Sequence, residues 1–457
     1  MVHTWALVVL AAGLGKRMRS PVPKIFFPAL GKPLVGYLID EASALGFGAR
    51  FLVVAPHFLE KARELFGDRV TVVPQEQPLG TGDAAKAVLP YLREDTTFLL
   101  VVYADMPLLS RKTLEELCVF LKQGSCDLVF ATSCAPDPSG FGRVVREGEG
   151  VRIVEERDCS PEERRLHEVN VGVFALRREV AIELLPLLRN GNAQGEFYLT
   201  DLVVLAQRHG FRVAPCTLPW SEEFTNVNTP RDFARVLGIL RERKLEDLFA
   251  RGVKILDPRT TYIDWDVEVG EDVWIYPGVL IEGKSIIASC AHIGPYARIV
   301  ESVIGERSRV EYSVVEHSRL AEDVTVGPFA HLRPGTELAR GVRIGNFVEV
   351  KNSFVGEGTK ALHLSYLGDA TIGKTVNIGA GTITCNFDGK KKNPTFIEDE
   401  VFIGSNNSLV APVRIGRGAY TAAGSTITQD VPPYALGVGR AKQVNIEGWV
   451  KRKRRDG

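Results

Sequence analysis

At 457 residues the chain has room for about two to four domains. Hydrophobic residues make up 45% and charged residues 25%, and 56 acidic side chains cancel 56 basic ones. That balance gives no global field for nucleic acid or an anionic membrane surface, and no run approaches the ~20 apolar residues of a membrane span. Seven irregularly spaced cysteines with no C-x-x-C pair fit neither a disulfide framework nor a zinc site. They read as reduced thiols of a cytoplasmic protein.

The first 229 residues alternate strand and helix. Apolar, β-rich runs occur at Trp5–Leu10, Arg50–Ala55, Val70–Val73, Phe98–Val102 and Asp127–Thr132. The first is too short for a signal-peptide core. Leu34, Leu38, Ala42 and Leu45 have helical spacing between the first two runs. Strands fed through helices predict an α/β domain over 1–229 with a doubly wound, mostly parallel sheet. Ligands of such sheets sit beyond the carboxyl ends of the strands.

A helical linker is predicted over 230–252. Thr229 suits its cap, Pro230 its first position and Asp232 its first turn, and Phe233, Val236, Leu237, Leu240, Leu248 and Phe249 recur until Gly252. From 253 to 457 the period changes. An aliphatic residue followed by glycine recurs nine times, from Ile293-Gly294 to Ile415-Gly416, at steps mostly multiples of six or one residue short. This is the hexapeptide signature of a parallel β-helix, whose coils bury a core only by stacking. The long step between Gly379 and Gly404 predicts an inserted loop around Cys385–Pro394, where Asp388-Gly389 and Asn393-Pro394 supply turn chemistry.

Three segments of the first domain carry phosphate or metal chemistry. The first strand runs into Leu10-Ala11-Ala12-Gly13-Leu14-Gly15-Lys16-Arg17, with Lys24 soon after; the glycines permit close backbone approach, and Arg17 and Lys24 can neutralise a phosphate. The spacing is neither a Walker loop nor G-x-G-x-x-G, and the glycines by themselves also suit a plain tight turn. Gln75, Gly80 and Thr81 offer amide and backbone groups to a base edge. Asp105, in Tyr103-Ala104-Asp105 directly after a buried strand, stands either as a Mg2+ ligand or as a turn cap.

These segments resemble the sugar-nucleotide pyrophosphorylases. Ser139-Gly140-Phe141-Gly142-Arg143, Ile153-Val154-Glu155, Asn170-Val171-Gly172, Gly195 to Asp201 and Val227-Asn228 follow in that family's order. Joined to the hexapeptide domain, the whole chain resembles the bacterial bifunctional UDP-N-acetylglucosamine pyrophosphorylase/glucosamine-1-phosphate N-acetyltransferases. The resemblance implies that Leu10, Ala11, Ala12, Gly13, Gln75, Gly80 and Thr81 hold the nucleotide, with Tyr103 and Ala104 beside them. It implies that Arg17 and Lys24 act on the phosphates, that Gly140, Glu155 and Asn170 hold the sugar, and that Asp105 and Asn228 bind Mg2+. Lys16, Asp83, Ala104 and Arg157 stand where that family commonly has Thr, His, Gly and Lys, and Asp83 adds negative charge near the phosphate site.

In the second domain, His363 lies where strand alternation directs it outward, and Arg333, Lys351 and Arg440 are cations suited to a phosphate. A lone histidine also suits a structural hydrogen bond. The resemblance implies His363 as general base for acetyl transfer from acetyl-CoA, with Glu349 either orienting its ring or standing as a solvated edge carboxylate. It implies that Arg333, Lys351, Tyr366, Asn377 and Asn386 hold glucosamine 1-phosphate, and that Ala380, Ser405, Ala423 and Arg440 line the acetyl-CoA groove. Phe387 replaces a Tyr of that family. A homotrimer built through the β-helix, UTP and acetyl-CoA as co-substrates, and a product feeding peptidoglycan and lipopolysaccharide synthesis are also implied. The basic tail Lys451–Arg455 reads as a solvated terminus or as a contact for CoA phosphates. Three rival readings stay open: another sugar or nucleotide specificity, a pyrophosphorylase whose β-helix is not catalytic, and an acyltransferase carrying a degenerate first domain.

Overall fold

A computed structural model describes residues 4–454 apart from Leu14 and Glu149, without the side chain of Lys16. The predicted tail residue Arg455 lies outside the described residues. The chain divides into two compact units at Leu240/Arg241.

The first unit is built on one sheet. Its main strands run in the order Val213–Leu218, Leu128–Cys134, Glu168–Arg177, Phe98–Tyr103, Trp5–Leu10, Ala49–Val54 and Thr71–Pro74. Trp5–Leu10 is buried along its whole length, which explains its unbroken apolar run. Leu7 and Val9 enter one core, while Ala6, Val8 and Leu10 enter the core on the opposite face. The chain leaves the first strand for Ala49–Val54 and Thr71–Pro74, then returns to pair Phe98–Tyr103 on the first strand's other side. This reversal opens a crevice beyond the ends of Trp5–Leu10 and Phe98–Tyr103. Five of these strands lie within one or two residues of the predicted runs, whereas Glu168–Arg177 and Val213–Leu218 were not predicted.

Glu168–Arg177 breaks the parallel pattern by running antiparallel to both neighbours. Its register shifts between Asn170 and Phe174. Gly172 lies in that bulge with φ +79°, and a Cβ there would stand 2.6 Å from Tyr103 Cδ2. Glycine therefore lets the Tyr103 ring lie against the strand.

The helix Pro230–Ala250 follows the predicted start. Thr229 Oγ1 accepts from Asp232 N at 3.2 Å, and Asp232 Oδ2 accepts from Thr229 N at 2.7 Å, a reciprocal cap. Its early residue Phe233 sets its ring edge-on to Phe27. Farther along, Leu245 and Leu248 join the core of the second unit, and Lys244 Nζ donates to Trp265 O and Val267 O at 2.8 Å each.

The second unit is the left-handed parallel β-helix that the hexapeptides predict. Strands of two or three residues alternate outward and inward side chains, as in Tyr262–Ile263, Glu268–Val269 and Trp274–Ile275. The inward Ile, Val, Leu and Ala form one continuous core. One face registers Glu268, Ile286, Val303, Arg319, Glu337, Phe354, Thr371, Phe396 and Arg414 on successive coils. The longer step between Thr371 and Phe396 contains the predicted loop. Asp388 closes that loop, accepting from Lys390 N at 2.9 Å and Lys391 N at 2.8 Å. Two longer strands, Arg343–Lys351 and Lys360–Gly368, interrupt the short-strand pattern. A Cβ on Gly345 would lie 2.0 Å from Leu362 O, so these coils approach closely there. The tail ends in an exposed helix, Trp449–Lys453. Among the described residues no helix is long and apolar enough to cross a membrane.

Candidate functional site

A cleft of about 470 Å³ occupies the crevice of the first unit, and Leu10 to Gly13, Lys24, Gln75, Gly80, Thr81 and Tyr103 to Asp105 all line it. Backbone bonds hold its floor: Ala104 N donates to Leu10 O at 3.0 Å and Ala11 N to Val53 O at 2.8 Å. A Cβ on Gly13 would meet no heavy atom within 4 Å, so the loop's backbone is open to the cleft. Arg157, Gln194 and Glu196 line it too; Arg157 and the segment holding Glu196 carried a signal in the sequence, and Gln194 did not. Arg17 is exposed in the turn Lys16–Met18, outside the cleft lining.

Lys24 does not point at an open phosphate position. Its ammonium donates to Asp105 Oδ2 at 2.7 Å and to Asn228 Oδ1 at 2.8 Å, bridging the two expected metal ligands. Asp105 Oδ1 is buried with no hydrogen-bond partner among the described residues. A carboxylate with an orphaned oxygen beside an amide oxygen is a hard donor pair that fits Mg2+, an ion commonly bound by few protein ligands plus substrate phosphates. Val227 N donates to Asp105 O at 2.9 Å, which ties the two segments together.

The residues expected at the sugar, Gly140, Glu155 and Asn170, are not among those lining this cleft. Glu155 is half-buried, and its Oε1 accepts from Thr200 Oγ1 at 2.9 Å. Burial pushes its carboxyl above the ordinary value. Burial, with the Glu155 carboxylate second, pushes the Tyr103 hydroxyl well above its usual range. Buried Asn170 accepts through Oδ1 from Gly172 N at 3.1 Å. Exposed Gly140 donates its N–H to Glu156 Oε2 at 2.6 Å.

Asp83 does not face the cleft as a bare charge. Its Oδ2 accepts from Gln75 Nε2 at 2.8 Å.

On the β-helix, His363 is exposed and lies in register with Asn346 of the preceding coil. His363 Nδ1 is 3.1 Å from Asn346 Oδ1. With that acceptor against Nδ1, the neutral ring carries its proton there, leaving the Nε2 lone pair for a base. Within the chain Glu349 pairs with Arg333 rather than with His363: it accepts from Arg333 Nη1 at 2.8 Å and is in register with Tyr366. It sits three residues past Asn346, beyond the pair that faces His363.

Arg333 and Lys351 follow registered Leu332 and Val350, so they occupy adjacent coils. The nearby Lys392 ammonium, on the inserted loop, holds Lys351 below the ordinary lysine value, with burial second. Sequence reasoning missed Lys392, because only the fold returns the loop to Lys351. A Cβ on Gly368 would lie 2.4 Å from Tyr366 Oη, so glycine makes room for that ring. Buried Asn386 donates through Nδ2 to Asp369 Oδ2 at 2.5 Å and to Tyr366 Oη at 3.4 Å. Phe387 is exposed. Asn377 is half-buried on the short strand Asn377–Ile378.

Ala380, Ser405 and Ala423 each lie two residues past the registered Ile378, Ile403 and Thr421. They therefore form a column of small residues on one corner of three coils. Arg440 is exposed just beyond Gly439, which donates its N–H to Ser425 Oγ at 3.2 Å.

Residues 7–166 match the MobA-like NTP transferase domain. The chain is 46% identical over 449 residues to the bifunctional protein GlmU of Thermotoga maritima, covering 98% of this chain and 99% of that protein. It is 45% identical over 446 residues to the protein of the same name from Carboxydothermus hydrogenoformans, covering 97% and 99%. Against that of a Geobacillus species the figures are 42% over 454 residues, covering 99% and 98%.

Proposed function

The chain belongs to the GlmU family of bifunctional proteins, and from that premise we propose how its two sites divide two reactions. It acetylates glucosamine 1-phosphate with acetyl-CoA, then couples N-acetylglucosamine 1-phosphate to UTP, releasing pyrophosphate and UDP-N-acetylglucosamine. The observation that carries this reading is the His363–Asn346 pair together with the cations Arg333, Lys351 and Lys392 on the same β-helix, on a chain that also keeps a lined nucleotide cleft.

In acetyl transfer, the glucosamine amine attacks the thioester carbonyl carbon. The C–N bond forms, the C–S bond breaks, and the CoA thiolate leaves. His363 Nε2 takes the ammonium proton, and Asn346 Oδ1 steadies the Nδ1–H of the charged ring. Arg333, Lys351 and Lys392 hold the sugar phosphate, with Tyr366, Asn377 and Asn386 on the sugar. Acetyl-CoA lies along the column Ala380, Ser405 and Ala423, and Arg440 meets its charged end.

In uridylyl transfer, the sugar-phosphate oxygen attacks the α-phosphorus of UTP, and the bond to the β-phosphate oxygen breaks. Gln75, Gly80 and Thr81 hold the base, Leu10 to Gly13 approach the phosphates, and Glu155, Asn170 and Gly140 hold the sugar. Asp105 and Asn228 would hold Mg2+, which would supply charge neutralisation on the phosphates. Lys24, whose ammonium bridges Asp105 and Asn228, would turn its charge to the nucleotide phosphates. Arg17, on the rim, adds a cation from solvent.

The acetyltransferase works as a homotrimer. Tyr296, Tyr312, Phe329 and Phe347 stack one coil upon the next, with ring centroids 5.6 Å apart. All are exposed, and Leu364, next to His363, continues the column. An apolar ladder of this length on a soluble solenoid calls for a cover, and a second copy would bring its own residues to His363. The cytoplasm is the compartment that supplies UTP and acetyl-CoA, and it suits seven free thiols.

The test mixes the protein with glucosamine 1-phosphate, acetyl-CoA, UTP and Mg2+ and follows CoA thiol and pyrophosphate. His363→Ala is expected to abolish thiol release while sparing uridylylation of preformed N-acetylglucosamine 1-phosphate. Asp105→Ala is expected to do the reverse. Loss of both activities in both variants, with folding intact, would sink the two-site reading.

A further inference from the structure

Asp83 changes the charge at the nucleotide cleft relative to the family pattern, and its geometry shows what that charge does. The carboxylate lies in the first turn of the helix Thr81–Lys86. Gln75 Nε2 donates to Asp83 Oδ2 at 2.8 Å and to Gly80 O at 3.1 Å. Gln75 itself is only 2% exposed, yet it lines the cleft. The Gly80 carbonyl is fixed in turn: Gly82 N donates to Phe197 O and Phe197 N to Leu79 O, each at 2.7 Å. At Gly80, with φ +117°, a Cβ would stand 2.6 Å from Phe197 O.

Both partners of the amide nitrogen are oxygens with no hydrogen to give. Turning the Gln75 amide over would set its own oxygen against a carbonyl and a carboxylate in a nearly closed site, at the cost of two hydrogen bonds. The amide thus has one orientation. Its two N–H groups face the protein, and Oε1 is what it offers the base. A histidine at position 83 would not fix this, because an imidazole donates or accepts according to its tautomer.

We propose that Asp83 is a specificity-determining positioning residue: it locks the Gln75 amide so that Oε1 selects a pyrimidine whose pairing edge carries a ring N–H. Uracil and thymine present N3–H there, whereas cytosine presents a bare N3 acceptor that Oε1 repels. This inference rests on the uridylyl reading of the cleft.

The test is kcat/KM of the full chain for UTP, dTTP and CTP with N-acetylglucosamine 1-phosphate. In D83A the preference for UTP over CTP is expected to fall by about tenfold, the scale of one hydrogen bond. In D83N, whose side-chain oxygen still accepts, the preference stays within about threefold of the unsubstituted protein. The ratio of UTP to dTTP does not move in either variant, because the two bases share the edge that is read. Equal loss of UTP and CTP turnover in D83A would make Asp83 merely structural and overturn the inference.

Should D83A fail to fold, a paired substitution decides. Q75E sets two carboxylates together and impairs UTP use, and adding D83N returns an N–H between them and restores it by about tenfold. Absence of rescue overturns the inference. An unsubstituted protein that prefers CTP or ATP sinks the uridylyl reading and the inference together. One that prefers UTP, with a ratio to CTP unchanged in D83A, sinks the inference alone.

Discussion

At the scale of single residues, the two sites depend on side chains whose neighbours come from another coil or loop. His363 is held by Asn346 through the parallel register of two long strands. Asn346→Ala removes the acceptor that keeps the Nδ1 proton in place and steadies the imidazolium. Acetyl-transfer kcat is expected to fall by about tenfold, with uridylyl transfer unchanged, in parallel assays of the two reactions. Glu155 gives a pH-dependent counterpart in the other unit. Its folded-state carboxyl is raised by burial, so the folded protein holds a proton that the unfolded chain has already released. The stability from this group is full below the ordinary carboxylate value and is lost as pH rises through the raised one. Melting temperature measured against pH should therefore fall less steeply in Glu155→Gln than in the unsubstituted protein over that window. A parallel slope in the two proteins would remove Glu155 from the account. Sequence alone offered His363 and Glu155 because residue type and motif announced them. It pointed to Glu349 rather than Asn346, since the choice turns on which residue of one coil lies above which residue of the next.

At the scale of elements, legibility follows how local the determining physics is. The buried strand Trp5–Leu10 and the helix Pro230–Ala250 could be read within a few residues, because an unbroken apolar run and a Thr-Pro-x-Asp cap are local signals. The β-helix was legible for a different reason: its repeat states the same local rule many times, and each inward Ile or Val contributes to one continuous core. The strand Glu168–Arg177 was not resolved from the sequence, because an apolar run fixes burial but not direction. Its antiparallel pairing is set by which neighbours remain free at the sheet. The bulge at Gly172, which makes room for Tyr103, was equally invisible without the facing ring. Asp83 belongs to the same class. As a letter it looked like misplaced charge near phosphates; as the first turn of a helix facing Gln75 it is an acceptor for an amide.

At the scale of the whole molecule, a solenoid differs from the first unit in that its outer faces are flat and repeat the same position on every coil. A residue type used at one position then becomes a stripe. The stripe Tyr296, Tyr312, Phe329 and Phe347 is exposed and apolar, and it leads to Leu364 beside His363. Were this face bare in solution, it would favour open-ended association; closure into the proposed ring of three would bury the stripe on each copy. Phe329→Glu places a charge in mid-stripe, two coils from His363 and outside both sites. Its mass in solution, read by light scattering, is expected to fall from three protomers to one. Acetyl transfer should fall with it, since His363 would lose the face that completes its site, while uridylyl transfer from preformed N-acetylglucosamine 1-phosphate stays within about twofold. A variant that stays trimeric with full acetyl transfer would place the interface on another face of the prism. A monomer that keeps full acetyl transfer would show instead that each β-helix carries a complete site, and that the stripe serves assembly alone.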